Sequence, residues 1–192
     1  MNAVKDGALM GMIQKNSDWE HKTSVKKGNL GEQIVNKYLE SKNFIVYRPV
    51  TEKAHACDIL AVRDKKIVII GEVKTKALMN KWKATGFNNR NFLEYQAIHE
   101  KYKLPIFIFF VDENMGSIYG NWLHILEKPY YHNGDKFPMV IKTKGGVELR
   151  LYHYDSMKHI AKLNAKDVAQ LASYTRRNYE YTENGGEHNA QR

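Results

Sequence analysis

The sequence predicts an α/β fold, a mixed β-sheet core flanked by helices in the order αβββαβ, with a C-terminal β-hairpin and helical extension. Three observations predict it. Leu30, Ile34, Val35, Tyr38 and Leu39 recur at helical spacing. Ile59-Leu60-Ala61-Val62 and Ile67-Val68-Ile69-Ile70 are apolar runs on either side of the polar break Asp64-Lys65-Lys66, the pattern of a β-hairpin. Residues 92–103 return to helical spacing and lead, through Leu104-Pro105, into the unbroken apolar run Ile106–Val111. Such a run reads as a strand buried on both faces and, following a crossover helix, as one parallel to a neighbour.

Taken in order, residues 1–27 are polar and weakly patterned, a flexible or partly helical lead-in. Gly28-Asn29-Leu30-Gly31 precedes the first helical pattern, and Ser41-Lys42-Asn43 ends it. Phe44–Tyr47 reads as a strand stopped by Arg48-Pro49. After the hairpin, residues 75–91 are polar, with Gly86 and several asparagines, and read as a long loop of the kind that often carries function. The second helix shows its apolar face through Phe92, Tyr95, Ile98, His99 and Tyr102. The core thus spans 28–112. Residues 113–177 form an extension packed on it: Ile118–Leu126 as a strand, Met139–Lys142 and Val147–Tyr152 as a hairpin around Gly145-Gly146, and 156–177 as two short helical segments divided near Asn164. Residues 178–192 are polar and read as a disordered tail.

A chain of 192 residues holds one good core. No apolar run approaches the ~20 residues of a membrane helix, and the start lacks a secretory pattern, so no membrane partner is expected. The one cysteine, Cys57, excludes an internal disulfide and fits a cytoplasmic protein. In a strand beside Asp58 it reads as a small buried hydrophobe rather than a catalytic thiol. The histidines show no zinc-type spacing, and there is no phosphate loop of the ATPase kind or nucleophile elbow. Net charge is +9, and Val73–Leu93 holds Lys74, Lys76, Lys81, Lys83 and Arg90 with no acid. Alone, that stripe would be a solvated surface. Placed directly after two carboxylates, it points to a polyanion.

The carboxylates are the most informative feature. Pairing the hairpin about Lys65 sets Asp58 opposite Glu72. Alternation puts Glu72 and Lys74 on one face and Val73 on the other. Both acids flank apolar runs, where a charge is costly unless a cation compensates it. Two carboxylates and an ammonium at the open end of a hairpin can hold a hard divalent cation and steady developing negative charge. Glu32, at the start of the first helix, is also explained by the helix dipole alone.

Glu32 in the first helix, Asp58 on the second strand and Glu72-Val73-Lys74 on the third resemble the PD-(D/E)xK, or restriction-endonuclease-like, nuclease superfamily over residues 28–112, in its Holliday-junction-resolvase-like or restriction-enzyme-like branch. One departure is Cys57, where the name calls for proline. The resemblance implies a metal-dependent DNA endonuclease. Asp58, Glu72 and the Val73 backbone carbonyl would bind Mg²⁺, for which Mn²⁺ can substitute. Lys74 would position the attacking water and stabilise charge, and Glu32 would serve a second metal or a water on the first. A polar residue of the second helix would join the site: Gln96 is preferred, because Tyr95 fits the apolar periodicity. Lys76, Lys81, Lys83 and Arg90 would contact DNA phosphates, while Trp82 and Phe87 suit either base stacking or core cover. Resolvases of this kind act as homodimers, although no residue here specifies one. Two rivals are a catalytically silent nucleic-acid-binding protein of the same fold and an assembly protein whose acids form ordinary ion pairs.

Overall fold

Leu30, Ile34, Val35 and Leu39 are buried along one face of helix α1 (Thr23–Ser41), as their spacing requires. The helix begins earlier than the glycines suggest, because Gly31 is a packing position and not a helix start. A side chain there would overlap the Thr75 hydroxyl, so the bare backbone lets α1 seat directly on the sheet. The structure, a computed structural model, describes residues 22–49, 57–65 and 67–174. The expectations for most of the lead-in and for the 178–192 tail lie outside these residues.

After β1 (Ile45–Tyr47), strands β2 (Ile59–Arg63) and β3 (Ile67–Thr75) pair antiparallel from Ile59↔Gly71 to Arg63↔Ile67. The register is centred on residue 65, as expected. Asp64 and Lys65 turn the chain with φ of 55° each. β5 (Ile106–Asp112) lies parallel to β3, with Glu72↔Ile108 and Lys74↔Phe110 as partners. β3 is therefore an interior strand with both edges paired over much of its length. The central sheet has the order β1-β2-β3-β5-β6-β11, where β6 is Ser117–Trp122 and β11 is Lys158–Lys162.

β5 separates two apolar layers, which explains its continuous apolar run. Phe109 and Val111 pack with Ile59, Ala61, Val73 and the α1 face. Ile106, Ile108 and Phe110 pack on the other side with Ile70, Phe87, Tyr152 and helix α2 (Asn89–Tyr102). This mixed sheet with helices packed on its faces is the α/β arrangement expected from the sequence.

Three expectations need correction. The stretch 75–91 is not all loop. It contains β4 (Ala84–Asn88), which pairs with β10 (Glu148–His153) in a second sheet completed by β9 (Met139–Lys142). α2 also starts at Asn89, because the Asn88 side chain caps it by accepting from the Arg90 amide at 2.9 Å. Residues 157–162 are not helical. A 3₁₀ turn (Tyr154–Ser156) leads into β11, which pairs with β6, and a helix follows over 165–174. Residues beyond 112 therefore extend the central sheet as well as packing on it. Ile118–Leu126 divides into the end of β6 and a one-turn helix α3 (Leu123–Leu126). The hairpin β7 (Tyr130–His132) and β8 (Asp135–Phe137) lies beyond it. Among the described residues no helix is long and apolar enough to cross a membrane.

Candidate active site

The β2–β3 register carries one step past the last paired residues to place Asp58 beside Glu72. The Asp58 amide donates to the Gly71 carbonyl at 3.1 Å, and the Asp58 carboxylate Oδ2 accepts from the Val73 amide at 2.8 Å. A strand residue directs its N–H and C=O toward the same neighbour. The Val73 carbonyl therefore lies on the strand edge that faces Asp58.

Glu72 and Lys74 share the α2 face of β3. The Lys74 ammonium donates to Glu72 Oε1 at 2.5 Å. Glu72 is 6% exposed. Burial pushes its carboxyl up to about 7, with the Lys74 ammonium opposing the shift and the Asp58 charge adding to it. Lys74 does not fully offset the cost of burying this acid. The rings of Phe87 and Tyr95 flank the ammonium, with centroids 6.0 and 5.9 Å from Nζ.

The α2 residue that reaches Glu72 is Tyr95, not Gln96. The Tyr95 hydroxyl hydrogen-bonds Glu72, and burial followed by the Glu72 charge pushes the phenol up, so it stays a donor. Its ring is also core, edge-on to Phe87 at 5.5 Å. Gln96 is exposed and lines a separate cavity with Phe92, His99, Leu123 and Glu127. The apolar periodicity that hid Tyr95 describes its ring correctly but is blind to its hydroxyl.

Glu32 is half-buried on α1, next to the glycine that packs on Thr75, one residue along β3 from Lys74. Cys57 is half-buried against the α2-side core, and burial, then Glu72 and Asp58, push its thiol up, which suits packing and not nucleophilic chemistry. Lys76, Lys81, Lys83 and Arg90 are all exposed, Lys81 stacking over Trp82 and Arg90 pairing with Glu94 at 3.1 Å. Phe87 is 1% exposed and Trp82 packs on a small cluster with Ala84, Phe137 and Leu151, so both cover core.

No family model matches the chain, and no curated protein matches it. Similar chains do occur among solved structures. One is Hjc of Archaeoglobus fulgidus, a Holliday junction resolvase from an archaeal hyperthermophile, determined at 1.6 Å. It is 13% identical with a TM-score of 0.49, over 70% of this chain and 97% of that one.

Proposed function

We propose that this protein is a metal-dependent DNA endonuclease of the PD-(D/E)xK type. The observation that carries this reading is the meeting of Asp58 and Glu72 at the open end of the β2–β3 hairpin, with Lys74 on the Glu72 carboxylate. The donor set is small and made of hard oxygens, and one donor is a buried carboxylate whose charge the protein alone does not neutralise. That set fits Mg²⁺, with Mn²⁺ as substitute. When bound, the ion would act as a Lewis acid toward a phosphoryl oxygen.

The chain's own residues supply the rest. The Val73 amide holds Asp58 by one oxygen, leaving the other available to the ion. Glu72 would be the second carboxylate ligand, and the Val73 carbonyl a third donor. Lys74 orients the attacking water and meets the negative charge that grows on the phosphoryl oxygens. Tyr95 fixes the Glu72 carboxylate through its hydroxyl. Glu32 is assigned to a second ion or to a water of the first. Lys76, Lys81, Lys83 and Arg90 contact the DNA backbone, so binding falls steeply with salt.

The test is cleavage of linear duplex, supercoiled plasmid, single strand, flap and four-way junction DNA, with and without Mg²⁺ or Mn²⁺. The wild type should cut in a metal-dependent way. Asp58→Asn, which keeps an acceptor for the Val73 amide, should fold normally and not cut. DNA binding without cleavage of any form would instead favour the silent binding protein.

A further inference from the structure

Away from the carboxylates, the β7–β8 hairpin folds back on the end of β10. The His132 and His153 rings stack with centroids 4.2 Å apart, and Tyr130 and Phe137 enclose His153 at 5.1 and 5.2 Å. The 3₁₀ turn after β10 brings Asp155 back, so that its Oδ2 lies 3.6 Å from His153 Nδ1. One donor atom each from His132, His153 and Asp155 lies within 4.8 Å of the other two. The nuclease chemistry uses none of them.

Hydrogen bonding accounts for only one ring nitrogen of His153: Nδ1 accepts from the Asp155 amide at 3.2 Å. His153 is 1% exposed, and its Nε2 is buried with no hydrogen-bond partner among the described residues. Leaving such a buried atom unmatched is costly. The His153–Asp155 separation is long for a hydrogen bond. The Tyr130 hydroxyl donates to Asp155 Oδ2 at 3.2 Å, the kind of outer contact that steadies a ligating carboxylate.

We propose that His132, His153 and Asp155 form a second metal site, independent of the nuclease reading, which takes a divalent ion of the zinc class and pins the β7–β8 hairpin to β10. Two imidazoles and one carboxylate suit Zn²⁺ or Co²⁺ better than Mg²⁺, which favours oxygen donors. Three protein ligands leave a fourth position for water. Closing the donors to bonding separation takes up to about 1.5 Å of movement, shared between exposed Asp155 and half-buried His132 on its short hairpin.

The experiment uses the full chain, stripped with a chelator and titrated with Co²⁺, followed by Zn²⁺ in competition. The expected result is one Co²⁺ per chain with the intense visible bands of four-coordination, displaced by Zn²⁺ with a rise in Tm. Asp58→Asn should leave those bands unchanged, which separates them from the weak six-coordinate signal of an all-oxygen site. His153 is core, so the decisive variants are His132→Ala and Asp155→Asn. Each should keep its far-UV circular dichroism and weaken Co²⁺ and Zn²⁺ binding at least about 100-fold. Unchanged binding and bands in both variants, or no four-coordinate signal in the wild type, would overturn the proposal.

Discussion

Two glutamates in this molecule have nearly the same partners and differ in what those partners allow. Glu127, just after α3, is held by Arg150 through both guanidinium arms, with Nε to Oε1 at 2.9 Å and Nη2 on Oε2, and by the Tyr152 hydroxyl at 2.8 Å. The Arg150 guanidinium also lies 4.0 Å over the Phe92 ring. Glu72 is held by Lys74 through one oxygen and by the Tyr95 hydroxyl, with a second carboxylate, Asp58, close enough to raise its proton affinity. A planar fork satisfies both oxygens of a carboxylate and closes the pair. An ammonium is a point charge that leaves the second oxygen for another cation. The Glu127 group is thus a clamp between α3 and β10, while the Glu72 group is open on one side, where the proposed metal would bind.

The sharpest way to break this contrast is to remove each cation. Lys74→Ala should lower single-turnover cleavage at least about 10³-fold, the scale of losing a group that meets transition-state charge. Its cost in stability should be small, because Glu72 already titrates at about 7 and can take up a proton when the ammonium is gone. Full cleavage by that variant with metal present would remove Lys74 from the mechanism.

The next effect is in pH. Glu72 binds its proton more tightly in the folded chain, at about 7, than at its ordinary value of 4.5. Its contribution to the stability of metal-free protein is therefore greatest below that ordinary value, falls as pH rises between the two, and levels off above 7. From pH 4.5 to 8 the wild type should lose on the order of 3 kcal/mol relative to Glu72→Gln. Urea unfolding of both proteins in chelator, across that range, checks it, and parallel pH profiles would show that Glu72 is not the strained acid.

Arg150→Ala should act in the opposite sense to Lys74→Ala. Leaving Glu127 and the Tyr152 hydroxyl without their clamp should cost about 1–3 kcal/mol of unfolding free energy, while Mn²⁺ affinity by calorimetry stays at the wild-type value. A variant that lost metal binding instead would erase the distinction between the two groups.

The half of this contrast that lies on one hairpin was legible in the sequence. Counting outward from Lys65 is enough to oppose Asp58 and Glu72, since a hairpin register follows from local chain alone. The apolar run of β5 announced its burial on both faces for a similar reason. The Glu127 clamp and the His132–His153–Asp155 cluster were not legible, because each depends on tertiary packing that brings separate segments onto the end of α3 or the β7–β8 hairpin and β10. β4 itself was hidden by its small residues. Ala84-Thr85-Gly86 shows no alternation, and Gly86 is there because a side chain would strike the Arg150 carbonyl.

Tyr95 marks the finest limit of that legibility and carries the smallest predicted effect. Its position on α2 satisfies the apolar face, so periodicity assigns it to the core. Its hydroxyl nevertheless ends on the one buried carboxylate that a metal would need. Tyr95→Phe preserves the ring contacts with Phe87 and removes only that donor, so the fold should be unaffected. Without the hydrogen bond the Glu72 carboxylate loses an orienting contact, and cleavage should fall about tenfold, in line with about 1.4 kcal/mol for one charge-assisted bond. Gln96→Ala, one residue along but facing the separate cavity, is the matched control and should leave the rate unchanged. If Gln96→Ala lowers cleavage more than Tyr95→Phe does, the polar partner supplied by α2 has been assigned to the wrong neighbour.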